Sequence, residues 1–207
     1  MTIESPRDHL ADATIVERGE RVYLRPPSAS DRAEFIKLRR DSREHLERWE
    51  PLPRPGFDAW GRDAFELECR LHGVDEQQRL FICRATDGAI VGRLSIGAVE
   101  RGPLQSGRFG YWIGADQTRQ GFMSDALRLG LRHCFTTMGL HRVSCNIVPD
   151  NEPSKKAALN AGFRLEGYSP RYVKIAGVWR DHERYALTIE DWKQSTSPWR
   201  KPGADQA

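Results

Sequence analysis

The sequence predicts an α/β fold, a mixed sheet with helices on both faces. Three observations predict it. Short alternating apolar segments are interleaved with helical ones along most of the chain. Asp87-Gly88 separates two strand candidates and is a hairpin turn signal, and Ala176-Gly177 separates the last two. Between strands stands one long helix, 121–138, in which Met123, Leu127, Leu131, Cys134 and Met138 recur at helical spacing. Hairpin and crossover connections together imply a mixed sheet.

The elements follow in order. Residues 21–25 (RVYLR) form a short strand closed by Pro26-Pro27. Ser30 caps a helix that runs through Phe35, Ile36 and Leu38 toward Leu46, and Trp49-Glu50-Pro51-Leu52-Pro53 breaks it. A second helix covers 57–71 and ends near Gly73. Strands at 80–84 and 89–96 flank the Asp87-Gly88 turn, and a loop over 101–107 leads to a strand at 108–113. After the long helix, which Gly139 ends, 142–148 alternates as a strand. Asp150 and Asn151 cap a further helix, with Pro153 in its first turn and Gly162 at its end. Two strands, 163–173 and 178–189, complete a domain over 20–193. Residues 1–19 and 194–207 are polar and aperiodic and read as tails, the second of which Trp199 can tie down.

Composition narrows the class. With 207 residues the chain builds one good core. Its net charge is +3, from 32 basic and 29 acidic residues, too balanced for a dedicated nucleic-acid binder. No apolar run approaches the ~18–20 residues of a membrane span, and the charged start lacks the apolar stretch of a signal peptide. A cytoplasmic protein is expected, a monomer or a homodimer. Cys69, Cys83, Cys134 and Cys145 form no C-x-x-C pair and read as buried thiols. No two histidines stand at a zinc-ligand spacing, so no metal is expected.

The chemistry concentrates in two stretches. Gly110-Tyr111-Trp112-Ile113-Gly114 is a strand, and Thr118-Arg119-Gln120-Gly121-Phe122-Met123-Ser124 is the loop that opens the long helix. The first N–H groups of a helix have no intrahelical partner and carry partial positive charge, so this turn suits an anion such as a pyrophosphate. In Pro149-Asp150-Asn151-Glu152-Pro153-Ser154, Asn151 is either a helix cap or a ligand-binding amide. Ser154 is either a solvated first-turn residue or a hydroxyl proton donor.

Together these stretches resemble the GCN5-related N-acetyltransferase (GNAT) family, and within it the RimJ/RimL type. The resemblance spans about 140 residues. It takes in His45-Leu46-Glu47-Arg48-Trp49-Glu50-Pro51, Gly110-Tyr111-Trp112, Gly121-Phe122-Met123, Leu140-His141-Arg142, Asn151 and Ser154. It continues through Ala161-Gly162-Phe163, Glu166-Gly167-Tyr168 and Gly177-Val178-Trp179-Arg180-Asp181-His182, the last piece pointing to the RimJ branch. It implies a mostly antiparallel sheet splayed at a central bulge, acetyl-CoA as cosubstrate, and a ribosomal-protein N-terminus or another amine as acceptor. By the same resemblance, Ile113 on the splayed strand and the loop residues Arg119, Gln120, Gly121, Phe122, Met123 and Ser124 bind the cofactor. Asn151 contacts it, and Ser154 protonates the leaving thiolate.

The chain departs from the family pattern at several places. Thr118 and Met123 stand at the ends of the loop motif, and Arg119 replaces a frequent glycine. The tyrosine that many relatives use as general acid is Ala158 here, and two carboxylates that relatives carry are Val173 and Arg108. No general base is identified. An α-amine, with a pKa of about 7.7–8.0, is neutral to roughly a tenth near pH 7, against roughly one part in 2,500 for a lysine amine. An α-amine acceptor therefore needs only a weak base. Trp49, Glu50, Tyr111 and Tyr168 are candidates to line the acceptor groove, Glu50 as a partner for an ammonium. His182 reads as structural, because Asp181 beside it faces the other side of a strand. The alternatives are a small-molecule amine or a lysine as acceptor, or an interaction protein in ribosome assembly with weak or no transfer activity.

Overall fold

A computed structural model of the chain describes residues 15–73 and 76–196. Eight strands are formed by β1 (Glu17–Arg18), β2 (Val22–Arg25), β3 (Gln78–Arg84), β4 (Ile90–Glu100), β5 (Ser106–Ile113), β6 (Arg142–Ile147), β7 (Arg164–Ile175) and β8 (Val178–Thr188). The helices are α1 (Arg32–Asp41), α2 (Arg43–Leu46), α3 (Arg62–Leu71), α4 (Phe122–Thr136), α5 (Glu152–Asn160) and α6 (Ile189–Thr196). The strands form one sheet in the order β1-β2-β3-β4-β5-β6-β8-β7. Every neighbouring pair is antiparallel except β5 and β6, which α4 joins as a crossover.

Period-two alternation splits the apolar residues between the two faces. Val22, Leu24, Leu80, Ile82, Leu94, Phe109, Val143, Cys145, Tyr185 and Leu187 meet Ala126, Leu127 and Leu131 of α4 and Ala157, Ala158 and Ala161, from α5 and its C-terminal end. Tyr23, Phe81, Cys83, Ile90 and Trp112 turn the other way, onto Phe35 of α1 and Phe65 of α3. Phe35 stacks on Phe81 with ring centroids 5.1 Å apart. α4 lies close to the sheet because Gly130 has no side chain. A Cβ there would stand 2.5 Å from Leu94 Cδ2.

One feature of the ladder positions the site. The parallel pairing of β5 with β6 runs from Ser106↔Arg142 to Phe109↔Cys145 and stops. Beyond it β5 stays with β4 to Ile113↔Gly92, and β6 stays with β8 to Ile147↔Glu183. The two strands therefore open into a gap. A register shift in β4 between Gly97 and Glu100, with Ala98 at φ 47°, bends the sheet at the closed end.

Several elements differ from the sequence reading. The first helix starts at Arg32, after a 3-10 turn at Ala29–Asp31. Ser28 rather than Ser30 precedes this turn, and its N–H donates to the Asp31 carboxylate at 2.6 Å. Asp31 is also clamped by Arg25 through two bonds of 2.6 and 2.7 Å. The second helix begins at Arg62 rather than 57, because Asp58 turns the chain back on itself: its C=O accepts from Gly61 and Ala64 N–H. β1 lies in the segment read as an N-terminal tail, and α6 crosses the expected boundary at 193. The rest of both tails, Trp199 included, lies outside the described residues. Cys83, Cys134 and Cys145 are buried, but Cys69 is exposed on α3. No helix among the described residues is long and apolar enough to cross a membrane.

Candidate active site

The gap between β5 and β6 leaves backbone groups open. Gly114 N–H donates to Val91 C=O at 2.9 Å, so alternation along an antiparallel pair turns the backbone of residues 112 and 110 toward β4. Tyr111 and Ile113 point theirs the other way, toward β6. At the closed end Gln105 C=O, of the same parity, accepts from His141 and Arg142 on the β6 side. At Tyr111 and Ile113 the neighbour has diverged. Their N–H and C=O groups face the gap with no strand partner among the described residues.

Ser154 and Tyr111 meet beside this edge. Ser154 Oγ–H donates to Tyr111 Oη at 2.9 Å, and the Tyr111 hydroxyl reaches Ser154 C=O at 3.4 Å. Burial pushes the Tyr111 phenol well above its ordinary value, and the neighbouring Cys145 thiol adds to this. The phenol therefore stays protonated at any working pH. Asn151 is the N-cap of α5, its Oδ1 accepting from Ser154 N–H at 3.3 Å, which leaves its Nδ2 donors available. The cap fixes the first turn of α5 and so fixes where the Ser154 hydroxyl points.

The loop ahead of α4 is built for close approach. Arg119 and Gly121 both have positive φ, 60° and 79°. The first backbone bond of the helix is Asp125 N–H to Gly121 C=O at 3.2 Å, so the N–H groups of Gly121, Phe122, Met123 and Ser124 have no intrahelical partner. Phe122 is buried and presents only its backbone, while Met123 is half-buried against the core. Gln120 Nε2 donates to Asp116 C=O at 3.1 Å, and Arg119 is exposed. The sequence reading missed Arg21. Its guanidinium donates to Gln120 C=O at 3.0 Å and to Asp125 at 2.7 Å, and it neutralises an acid in the first turn of α4.

The four residues expected to line an acceptor groove do not stand together. Trp49 and Glu50 lie near the tip of the β7–β8 hairpin, where Ala176 N–H donates to Glu50 C=O at 3.0 Å. The Glu50 carboxylate, expected to meet an ammonium, is instead held by Arg39 through bonds of 2.7 and 2.9 Å. Arg39 is itself buried between the rings of Trp60 and Trp112. Tyr111 points to the opposite face, under α5, because it alternates with Trp112. Tyr168 is exposed on β7 and donates to Asp181 at 2.5 Å. Asn146 and Tyr172, not foreseen, are bonded at 3.3 Å beside the gap on the face opposite α5.

The histidines have structural surroundings. His182 is buried, its Nδ1 3.1 Å from Arg180 C=O and its ring edge-on to Tyr172. His133 is buried with Nε2 2.9 Å from Gln78 Oε1. Lys155 is engaged by Glu152 at 2.7 Å and Glu183 at 3.5 Å. Among the described residues no group of three or more His, Cys, Asp or Glu is arranged to hold a metal ion.

An open strand edge beside free helix N-terminal amides defines a class of site, one that offers hydrogen bonds to an extended polar ligand in the gap and a place for an anion at the helix. A family model described as an acetyltransferase (GNAT) domain matches residues 21–164. RimJ of Mycobacterium smegmatis, solved in complex with CoA-disulfide, is 38% identical with a TM-score of 0.73 over 84% of each chain. The probable N-acetyltransferase YjcK of Bacillus subtilis is 29% identical over 180 residues, 86% of this chain and 99% of that protein. The ribosomal protein uS5-alanine N-acetyltransferase of Escherichia coli is 37% identical over 103 residues, 50% of this chain and 53% of that protein. The chain belongs to the GNAT acetyltransferase family, and it is an acyltransferase that depends on acetyl-CoA.

Proposed function

We propose that this acetyltransferase modifies the N-terminal α-amine of a ribosomal protein, with alanine as the first residue, by direct attack of the amine on the thioester. The observation that carries this reading is the state of the carboxylates around the gap. Glu50 is neutralised by Arg39, and Glu183 is engaged by Tyr185 and Lys155 on the α5 side. A lysine amine needs a strong base to become a nucleophile, whereas an α-amine needs only water or a weak acceptor. The likeness to RimJ and to the uS5-alanine enzyme supports the same acceptor class.

In this reading the thioester supplies the acetyl group, and the protein supplies position and polarity. Free amides of β5 meet the negative charge that develops on the carbonyl oxygen. The amides of 121–124 hold the pyrophosphate, with Arg119 adding positive charge and Arg21 cancelling the charge of Asp125. As the C–N bond forms and the C–S bond breaks, Ser154 Oγ–H, aimed by the Asn151 cap and by Tyr111, turns to the departing sulfur and gives it a proton, and the proton that the attacking nitrogen releases to water restores the hydroxyl. Holding both reactants in one cleft contributes much of the rate. Trp49 and the hairpin tip beside Glu50 wall the acceptor side.

The test is CoA release from acetyl-CoA with two peptides of otherwise identical sequence. One has a free N-terminal Ala; the other has a blocked N-terminus and an internal Lys. Turnover of the first alone supports the proposal. Turnover of the second, or of neither while acetyl-CoA still binds, contradicts it.

A further inference from the structure

The open face of the sheet at the mouth of the gap is basic, and alternation decides which side chains stand there. Phe109, Tyr185 and Leu187 belong to the core beneath α4 and α5, so Arg108 on β5 and Arg184 on β8 project from the opposite face. In the ladder Arg108 stands across from Ser144, one residue before the parallel pairing ends, and Arg184 stands across from Asn146. Strand spacing and rise put the two Cα atoms about 12 Å apart, on a diagonal across β6. Both side chains are exposed, and neither makes an ion pair or hydrogen bond with any described residue.

The acids Glu166, Asp191, Glu50, Glu68 and Asp150 are each engaged by arginine, Asp150 by Arg180 at 2.7 Å. Glu166 is held by Arg142 and Arg164, and Arg164 also holds Asp191. Glu50 is held by Arg39. Glu68 is shared by Arg79 at 3.7 Å and Arg93 at 3.4 Å, which leaves one positive charge uncompensated where Arg93 also reaches Gly110 C=O at 3.3 Å. Asp181 and Glu183 alternate with Arg180, His182 and Arg184, so they face α5 rather than the mouth. The acceptor side therefore carries a local positive field although the whole chain is only +3.

This field discriminates among acceptors. A polyamine or a lysine-rich segment meets repulsion. An α-amine with acidic residues behind it meets two unpaired guanidiniums. An extended peptide advances about 3.4 Å per residue, so with its amine at the gap its second to about fourth residues pass over Arg108 and Arg184. The same field lowers the pKa of the incoming ammonium and enlarges its neutral fraction without a dedicated base. We infer that Arg108 and Arg184 form a specificity subsite for acidic residues directly following the acceptor's α-amine. This inference rests on the α-amine reading above.

Three peptides beginning Ala-Glu-Glu, Ala-Gln-Gln and Ala-Lys-Lys, identical beyond that point, test it. At low ionic strength KM should be lowest for the acidic peptide, about five- to tenfold below the neutral one, and highest for the basic one. The spread should shrink in 0.5 M salt, and in the R108Q/R184Q double variant it should fall within about twofold, with the loss in KM of the acidic peptide. Both side chains are exposed and have no partner among the described residues, so the variant keeps the fold; its melting temperature checks this. Equal KM for the three peptides, or a preference that survives in the double variant, overturns the subsite. Calorimetry of the same peptides on the CoA complex separates the two readings. Arginine-dependent binding of the acidic peptide without its acetylation upholds the subsite and sinks the α-amine reaction. Acetylation of all three without charge preference sinks the subsite alone.

Discussion

Replacing Ser154 by Ala isolates proton delivery from binding. The substitution removes one bond, Oγ–H to Tyr111 Oη at 2.9 Å, but Tyr111 keeps the Ser154 carbonyl at 3.4 Å and is not orphaned. The stability cost is therefore that of one ordinary hydrogen bond, about 1 kcal/mol, which lowers Tm by about 2–4 °C in a domain of this size. Asn151 still caps through the residue-154 amide, so the cofactor-facing amides stay in place. The rate loss should be much larger. A positioned general acid contributes roughly 10²–10⁴-fold, and water entering the vacated space recovers part of it. A fall in kcat of about 100-fold is expected, about 2.7 kcal/mol of transition-state stabilisation. The assay is CoA thiol release at saturating peptide and acetyl-CoA, with the Kd of acetyl-CoA measured separately. A kcat within about threefold of wild type, with binding unchanged, would refute the proton-donor role.

Three further outcomes follow from the geometry. Arg39→Ala leaves the Glu50 carboxylate without its partner and opens space between Trp60 and Trp112, so it should destabilise by about 2–4 kcal/mol in denaturant melts, discounted because Glu50 is partly exposed. Burial holds His133 and His182 below the ordinary imidazole value of about 6.5. The unfolded chain then binds more protons than the native one as pH drops below that value. Stability is full above about 6.5 and declines as pH falls through the depressed native values, and His133→Gln should flatten the slope of Tm between pH 7.5 and 5.5. Native protein at pH 8 should alkylate at Cys69 alone. Cys83 and Cys145, both buried and pushed up to about 12, and Cys134 should react only after unfolding, as peptide mapping would show.

Legibility in the sequence tracked how local the physics is. The hairpins at Asp87-Gly88 and Ala176-Gly177, the long α4 and the Asn151 cap are set by residues within one turn of each other, and all four stand where the pattern put them. β1 is too short to carry a pattern and exists only through its pairing with β2. α6 carries a local signal: Thr188 Oγ1 accepts from Asp191 N–H at 3.4 Å, three residues on, as a helix cap does. In the site, the loop and the Asn151–Ser154 turn were readable because helix N-termini advertise themselves. The engagement of Glu50 was not, because Glu50 lies in a loop and Arg39 on α1, and the pair depends on two tryptophans from distant segments. That Tyr111 stands under α5, apart from Trp49 and Glu50, was not legible, because strand alternation says which residues share a face but not which face is open. Arg108 and Val173 stood out only as missing carboxylates, and the sheet register was needed to see what Arg108 does beside Arg184.

The central claim is that the acetyl group goes to an α-amine, and product regiochemistry tests it most directly. One peptide carrying both a free N-terminal Ala and an internal Lys is incubated with acetyl-CoA at pH 7, and tandem mass spectrometry locates the acetyl group. The account predicts Nα-acetyl-Ala with the lysine unmodified. Acetyl on the lysine Nε, with the N-terminus free, would contradict it.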